Sequence, residues 1–252
     1  MKRRFLALVL AGCLAAVLST AAWADETPTA VSTADELTAA LGNAAVTSIQ
    51  LTGNIDISST LVVTKDVTLD LNGFVLQHEN RDANDSVIKI ESGTLTLVDS
   101  NPDAIHKFVK EATGLWTLNE NAGTEIVKGG VITGGTGSTY KYNNDIGQIV
   151  YNDCGGGVFV APGASFIMEG GNIVGCSAGK SGGGVKVTND GDFKMSGGTI
   201  SGCIARNGGG LRNEGTATLS DTAKIESCRA TGTESDDHGG GVLQLSQSDC
   251  QR

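Results

Sequence analysis

Three tyrosines and a neighbouring amide form the strongest candidate binding patch in the sequence. Tyr140, Tyr142 and Tyr151 are the only tyrosines of the chain, and Asn144 lies among them. An aromatic ring packs on the C–H groups of a sugar while amides hydrogen-bond its hydroxyls, so this combination is common in glycan-binding sites. The pattern predicts a patch that binds a polysaccharide or a host glycan. The alternative is a loop that only packs against the side of the protein.

A short acidic segment is the candidate for a metal site. Asp236 and Asp237 precede His238 in the longest gap between repeats, and carboxylate oxygens are the ligands that Ca²⁺ prefers. A solvated acidic loop explains the same residues. No cofactor is expected, and Ca²⁺ is the one ion that this segment suggests.

The sequence lacks a recognisable catalytic signature, and no catalytic residue is predicted. A polysaccharide lyase needs a positioned Arg or Lys base with carboxylates, and a glycoside hydrolase needs two facing carboxylates. His106 has no Ser, Cys or metal-ligand partner near it in the sequence. Lys180, Arg206 and Arg229 are predicted to stack into a basic stripe, which is either a contact for an acidic glycan or ordinary surface.

Three cysteines share one position of a repeat. Cys176, Cys203 and Cys228 each end a similar segment, such as Met195-Ser-Gly-Gly-Thr-Ile-Ser-Gly-Cys203. We expect a structural ladder of buried thiols. The alternative is a redox or disulfide site, which an odd number of cysteines cannot complete by pairing.

Glycine triplets recur at a nearly constant interval. Gly155, Gly182, Gly208 and Gly239 each begin a Gly-Gly-Gly sequence followed by Val or Leu, and their starts are 27, 26 and 31 residues apart. A period near 27 indicates a solenoid. Short alternating apolar runs between turn residues predict three strands per period, stacked about 4.8 Å apart. The predicted fold is all-β, a right-handed single-stranded parallel β-helix with a short N-terminal capping helix.

The other segments are assigned around this repeat. Residues 25–45 are predicted to be the capping helix region, because Thr33 and Glu36 make a capping box and Gly42 stops the helix. Residues 46–252 are predicted to be the β-helix, with side excursions at 102–128 and 136–153 and an incomplete last coil. An open end offers unpaired strands. We therefore expect a truncated chain, or a C-terminal end that is capped by a partner or by self-association.

The first 24 residues are predicted to be a signal peptide. Lys2, Arg3 and Arg4 precede an apolar run, and Ala22-Trp23-Ala24 fits cleavage after Ala24. A lipoprotein signal at Cys13 is the alternative. The protein is thus expected to be secreted or at the cell surface, without membrane insertion after cleavage. Cleavage removes three of the 18 Lys and Arg residues, so 15 remain against 28 Asp and Glu residues, a net charge of −13. This negative charge disfavours nucleic acid as a partner.

The motifs together resemble a known family. Thr33-Ala-Asp-Glu-Leu37, Leu69-Asp-Leu-Asn-Gly73 and the repeated Gly-Gly-Gly-Val and Met-x-Gly-Gly-x-Ile-x-Gly-Cys are similar to pectate-lyase-like, adhesin-type β-helix proteins exported by anaerobic gut bacteria. The resemblance covers about residues 33–242 and implies a surface protein. Two functions follow from it. The first, which we favour, is a non-catalytic scaffold for adhesion or glycan binding; the second is a polysaccharide lyase or glycoside hydrolase that acts in the β-helix groove.

Overall fold

The computed structural model describes residues 27–81, 85–137, 140–143, 148–151, 155–233 and 239–244. The described chain begins with strand β1 (Thr29–Val31) and helix α1 (Ala34–Gly42), and the strands that follow wind into six coils. Within these residues, no helix is long and apolar enough to cross a membrane. The signal peptide predicted for residues 1–24 lies outside the described residues.

Helix α1 starts and stops at residues that satisfy its free backbone groups. Thr33 Oγ1 accepts a hydrogen bond from Glu36 N at 3.2 Å, which is the N-terminal cap that the sequence predicted. At the other end, Lys65 Nζ donates to the carbonyl oxygens of the last turn and the following loop, those of Ala40, Asn43 and Val46. The buried residues of the helix are Leu37, Ala40 and Leu41. The apolar face of the helix therefore packs against the first coil.

The first three coils are the least regular. Coil 1 contains β2 (Ser48–Leu51), β3 (Ile55–Ile57) and β4 (Leu61–Val63), and coil 2 contains β5 (Val67–Asp70), β6 (Val75–His78) and β7 (Ile88–Ile90). Coil 3 begins with β8 (Thr94–Val98) and is interrupted by β9 (Ile105–Lys110), β10 (Trp116–Leu118) and β11 (Glu125–Lys128). It continues with β12 (Val131–Thr133), the hairpin of β13 (Tyr140–Asn143) and β14 (Gln148–Tyr151), and β15 (Val158–Val160).

The last three coils follow the glycine repeat. Coil 4 contains β16 (Ser165–Met168), β17 (Asn172–Val174), β18 (Ser177–Ser181) and β19 (Val185–Val187). Coil 5 contains β20 (Asp192–Met195), β21 (Thr199–Ser201), β22 (Ile204–Asn207) and β23 (Leu211–Asn213). Coil 6 contains β24 (Thr216–Leu219), β25 (Lys224–Glu226), β26 (Arg229–Ala230) and β27 (Val242–Gln244).

Equivalent strands of successive coils pair in parallel and form the sides of the solenoid. Sheet 1 has the order β1-β2-β5-β8-β16-β20-β24, sheet 2 has β3-β6-β12-β17-β21-β25, and sheet 3 has β4-β7-β15-β19-β23-β27. This arrangement confirms the predicted parallel β-helix, and the right-handed sense is the one that parallel crossovers adopt almost without exception. The prediction of three strands per coil was wrong for coils 4 to 6, because β18, β22 and β26 form a fourth, short parallel sheet.

The core is built from columns of like side chains rather than from a few large ones. Phe166 pairs with Phe193 in register, and their rings stack with centroids 5.3 Å apart and planes 14° from parallel. Both rings are fully buried. Next to them, Leu97, Met168 and Met195 form a second column in sheet 1. Stacking equivalent positions at the strand spacing fills the interior even though aromatic residues make up only 4% of the chain.

The glycine triplets are the corner between sheet 4 and sheet 3. Gly182 has φ +69°, which favours glycine. Gly183 needs to be glycine for a different reason, since a Cβ atom there would lie 2.5 Å from the Gly209 carbonyl oxygen of the next coil. Backbone hydrogen bonds link the triplets, for example from Gly184 N to Gly210 O at 3.1 Å. Each repeated glycine triplet therefore marks a corner at which the backbones of neighbouring coils are in contact.

Candidate functional site

The excursion of coil 3 is a small antiparallel sheet, here called the excursion sheet, in which β9 lies between β10 and β11. Its inner side chains Phe108, Trp116 and Val127 form a second apolar cluster with residues of sheet 2. The sheet 2 residues of that cluster are Val75, Val131 and Val174. They belong to coils 2, 3 and 4, so the excursion sheet covers the outer face of sheet 2 over these coils.

Trp116 docks the excursion sheet on the corners that follow sheet 2. Its backbone N donates to the Gly202 carbonyl oxygen at 3.0 Å. Gly202 has φ +58°, and a Cβ atom there would lie 2.2 Å from Trp116 Cγ. Gly175 is the equivalent residue of coil 4, and its Cβ position lies 2.0 Å from the Trp116 carbonyl oxygen. Trp116 therefore occupies the space that a side chain would fill at the residue before Cys176 and at the residue before Cys203.

Arg229 holds the tip of the excursion sheet. Its Nη1 donates to the Thr113 carbonyl oxygen at 2.7 Å. Arg229 does not continue the predicted basic stripe, because it pairs in register with Ile204 of coil 5, two positions before Arg206. Lys180 and Arg206 directly precede Ser181 and Asn207, which pair in register. The excursion also reaches coils 5 and 6, because Gly202 and Arg229 anchor it there.

His106 joins the excursion sheet to coil 2 rather than to a reaction site. Its Nδ1 lies 2.8 Å from Glu120 Oε1, and its Nε2 lies 2.9 Å from the Gly73 carbonyl oxygen. Both ring nitrogens are therefore engaged by groups of the fold.

A groove runs beside the excursion sheet along the outer face of sheet 2. It consists of two adjoining cavities of about 650 and 250 Å³, both of which are lined by Lys128, Asn172 and Thr199. The larger cavity has a floor of backbone at Gly170–171 and Gly197–198, the repeated pair of the Met-x-Gly-Gly motif. The excursion sheet is its wall, through Lys128 in the larger cavity and Ile126 and Val127 in the smaller one.

The groove lies where one outer column of sheet 2 changes from apolar to polar. Val131 pairs with Asn172, Asn172 pairs with Thr199, and Thr199 pairs with Lys224. The neighbouring column is mixed, since it runs from Gln77 and Thr133 through Val174 to Ser201 and Glu226. In the first column, valine is present beneath the excursion sheet, and hydrogen-bonding or charged side chains follow it.

Not every polar residue of the groove is free to bind a ligand. Asp99 Oδ1 accepts from Gly73 N and Asp99 Oδ2 from Gly130 N, each at 2.7 Å. Asn172 Nδ2 donates to the Lys128 carbonyl oxygen at 2.7 Å. These two side chains tie together the chain segments at the root of the excursion sheet. Asp221 Oδ2 accepts from Ser220 Oγ at 3.1 Å. Among the described residues of the groove, the charged ends of Lys128, Glu169, Lys224 and Glu226 have no such structural role.

The predicted ligand-binding residues lie elsewhere. Tyr140 pairs in register with Tyr151 across the hairpin of β13 and β14, and Tyr142 pairs with Ile149. The hairpin accounts for much of the excursion predicted at 136–153, and it brings the backbones of two of the three tyrosines together. Asn144 lies outside the described residues, as do Asp236 and Asp237. No group of three or more His, Cys, Asp or Glu side chains in the described ranges is arranged to hold a metal ion.

The three repeat cysteines stand at one corner of coils 4, 5 and 6. Ile204 N donates to the Cys176 carbonyl oxygen at 3.0 Å, and Arg229 N donates to that of Cys203 at 2.9 Å. Cys176 and Cys203 are fully buried, Cys228 is partly exposed, and all three are free thiols. The third glycine of each triplet makes room for them, since the Cβ position of Gly184 lies 3.5 Å from Cys203 Sγ.

Burial and the contacts among these thiols shift their acidity in opposite directions. Contact with the Cys203 side chain lowers the pKa of Cys228 below its ordinary value, and contact with the same side chain lowers the pKa of Cys176. Burial raises the pKa of Cys203 well above its ordinary value, and both adjacent sulfurs add to this. The central thiol is therefore the least acidic of the three.

These features define the class of protein: a parallel β-helix with a side sheet that forms a polar groove on one face of the solenoid. Residues 28–145 match the model of the family described as "putative pectate lyase-like adhesive domain". Neither a curated protein nor a solved structure matches the chain significantly. The resemblance to pectate-lyase-like, adhesin-type β-helix proteins is thereby confirmed over these residues.

Proposed function

We propose that this protein is a non-catalytic adhesive domain that binds a polysaccharide or host glycan along the groove between the excursion sheet and sheet 2. The observation that carries the proposal is the change of one outer column of sheet 2 from valine to Asn172, Thr199 and Lys224 at the edge of the excursion sheet. A face of the solenoid that binds nothing does not require a wall formed by the excursion sheet or a floor of glycine backbone.

The chemistry of the groove suits a polyhydroxylated ligand. Its volume of about 650 Å³ accommodates a few sugar units. The glycine floor lets a ligand approach the backbone, and carboxylate and ammonium groups at Glu169, Asp221 and Lys224 supply charge-assisted hydrogen bonds to hydroxyls. Carboxylates outnumber cations among these groups, so we expect a neutral glycan to bind better than a polyanionic one.

The hairpin tyrosines are the second candidate contact. Tyr140 and Tyr151 share a register position on β13 and β14, and an extended aromatic surface there would serve the same adhesive function. We also propose that the protein is exported by a signal peptide that is cleaved after Ala24. N-terminal sequencing of the exported protein tests this, and a first residue other than Asp25 contradicts it.

A glycan-binding experiment tests the function and separates the two sites. The purified protein is incubated with a panel of pectins, mucins and plant glycans, with and without Ca²⁺, and both retained protein and new reducing or unsaturated ends are measured. Binding without new ends supports an adhesive domain. New ends would replace it with a polysaccharide lyase or glycoside hydrolase, and no retention on any glycan would overturn it.

Matched variants then locate the contact. The double substitution Glu169→Gln with Lys224→Ala is expected to weaken binding by about tenfold, since it removes two charge-assisted hydrogen bonds of the groove. Lys194→Ala, on an exposed position of sheet 1, is the control and leaves binding unchanged. If the triple change of Tyr140, Tyr142 and Tyr151 to Ala abolishes binding while the groove double variant does not, the site is the hairpin.

A further inference from the structure

The cysteine corner places three thiols in one column. They occupy equivalent positions of coils 4, 5 and 6, all three are free, and one of them, Cys228, is partly exposed. The other two are sealed inside the solenoid. The column of thiols thus passes from two buried positions to one that is partly exposed.

We propose that Cys203 and Cys228 are a redox-sensitive pair that closes a disulfide between coils 5 and 6 when the protein meets an oxidised low-molecular-weight thiol. Paired backbones of adjacent parallel strands lie about 4.8 Å apart, which is within the range of roughly 4.4 to 6.8 Å between the Cα atoms of a disulfide. The hydrogen bond from Arg229 N to the Cys203 carbonyl oxygen holds the two coils at that spacing.

The exposed thiol determines the order of the reaction. Cys228, as the thiolate, attacks one sulfur of the external disulfide, which forms a mixed disulfide and releases one thiolate. The Cys203 sulfur, after loss of its proton, attacks Cys228 Sγ, and the second small thiol leaves. Two protein thiols are oxidised, one external disulfide is reduced to two thiols, and the proton of each protein thiol ends on a released small thiol.

The neighbours of the pair support this assignment. The lowered pKa of Cys228 favours the attacking thiolate at the exposed position. Cys176 is buried beneath Cys203 and has no exposed face of its own, so it remains a thiol. The product ties coil 6, whose strand residues Leu219 and Val242 are exposed, to the sealed coil 5.

Peptide mapping of the full purified chain tests the pair. The reduced protein is incubated with oxidised glutathione, alkylated in denaturant and digested with trypsin without reductant. Cleavage after Lys and Arg places Cys203 in the peptide 195–206 and Cys228 in the peptide 225–229. The expected result is a disulfide between these two peptides, with Cys176 alkylated. Recovery of Cys203 as the alkylated thiol, or its linkage to Cys176, would overturn the proposal.

Two variants distinguish the exposed thiol from its neighbours. Cys228→Ala should slow the oxidation of Cys203 by about tenfold or more, because the external disulfide then has no accessible thiol to meet. Cys176→Ala is the matched control, since it also shortens the column by one thiol but leaves the pair intact, and it should still give the linked peptides. Equal oxidation rates of Cys203 in the two variants would contradict the role of Cys228.

Discussion

Gly183 and Gly209 lie against each other so closely that a Cβ atom on Gly183 would stand 2.5 Å from the Gly209 carbonyl oxygen. A backbone carbonyl held in the ladder of neighbouring coils cannot move aside as a flexible side chain would. The central glycine of the triplet is therefore a packing requirement of the corner, distinct from the positive φ of the glycine before it.

The Gly183→Ala variant should be strongly destabilised. The added methyl group also meets the Ile204 carbonyl oxygen at 2.4 Å, so we expect a loss of about 3 kcal/mol or more in the free energy of unfolding, as for an overpacked core. Chemical denaturation followed by circular dichroism measures it. Gly42→Ala at the end of α1 is the control, since its Cβ position has nothing within 4 Å. A Gly183→Ala protein as stable as that control would show that the corner relaxes.

Removal of one ring of the Phe166–Phe193 stack should open a cavity in coils 4 and 5. Phe193 is fully buried, so Phe193→Ala is expected to cost about 3 to 5 kcal/mol of stability. Lys194→Ala, the next residue of β20, is the control and should change stability by less than about 0.5 kcal/mol. Because each coil contacts mainly its neighbours, thermal unfolding of the Phe193→Ala protein should separate into two steps. A single step with an unchanged midpoint would contradict the stacked-column core.

Asp70 should make the stability of coil 2 depend on pH. Burial raises its pKa, but hydrogen bonds from Ser100, Gln50 and Asn72 outweigh it and leave the pKa below the ordinary value. A carboxylate with a lowered folded-state pKa stabilises the protein above its unfolded pKa of about 4, and this contribution is lost as pH falls through the folded-state pKa.

The Asp70→Asn variant tests that dependence. It should be less stable than the wild type at pH 7, and the difference should shrink below about pH 4. Thermal midpoints measured between pH 7 and pH 2.5 give the comparison, with the exposed Asp56→Asn of β3 as the control. A difference that persists unchanged at the lowest pH would mean that the ionised form of Asp70 contributes nothing.

Loss of Arg229 should loosen the tip of the excursion sheet without unfolding the solenoid. Its hydrogen bond to the Thr113 carbonyl oxygen is exposed, so its removal in Arg229→Ala costs about 1 kcal/mol locally, or about a fivefold increase in opening. Hydrogen exchange of residues 111–116 measures the opening. Lys110→Ala removes a basic residue from the same sheet and should leave that exchange unchanged. Faster exchange throughout the coils would point instead to a global effect.

Much of the solenoid could be predicted because its determinants are local and repeated. The triplets beginning at Gly155, Gly182, Gly208 and Gly239 marked the corner, and Phe166 above Phe193 followed from the period alone. The fourth short sheet was missed because β18, β22 and β26 have weak alternation: segments such as Ser177–Ser181 contain glycine, serine and lysine, and only the pairing of neighbouring coils makes them strands.

The groove was missed for a related reason. Lys128, Glu169 and Lys224 are far apart in the sequence, and none belongs to a motif that suggests binding. A signal was present in Val131 and Val174, which put apolar side chains on both faces of their strands and so indicate that something covers sheet 2.

By itself, the sequence determined the parallel β-helix, the capping helix and the stacked columns, since each depends on spacing, periodicity and capping residues that lie close along the chain. Only the tertiary structure decided where the excursion sheet docks, and thereby where the groove lies. Trp116 packs on Gly202, and Arg229 bonds to Thr113, across 86 and 116 residues of sequence. Such contacts form when the apolar faces of distant segments are buried against each other, and no local sequence pattern indicates which faces will pack together.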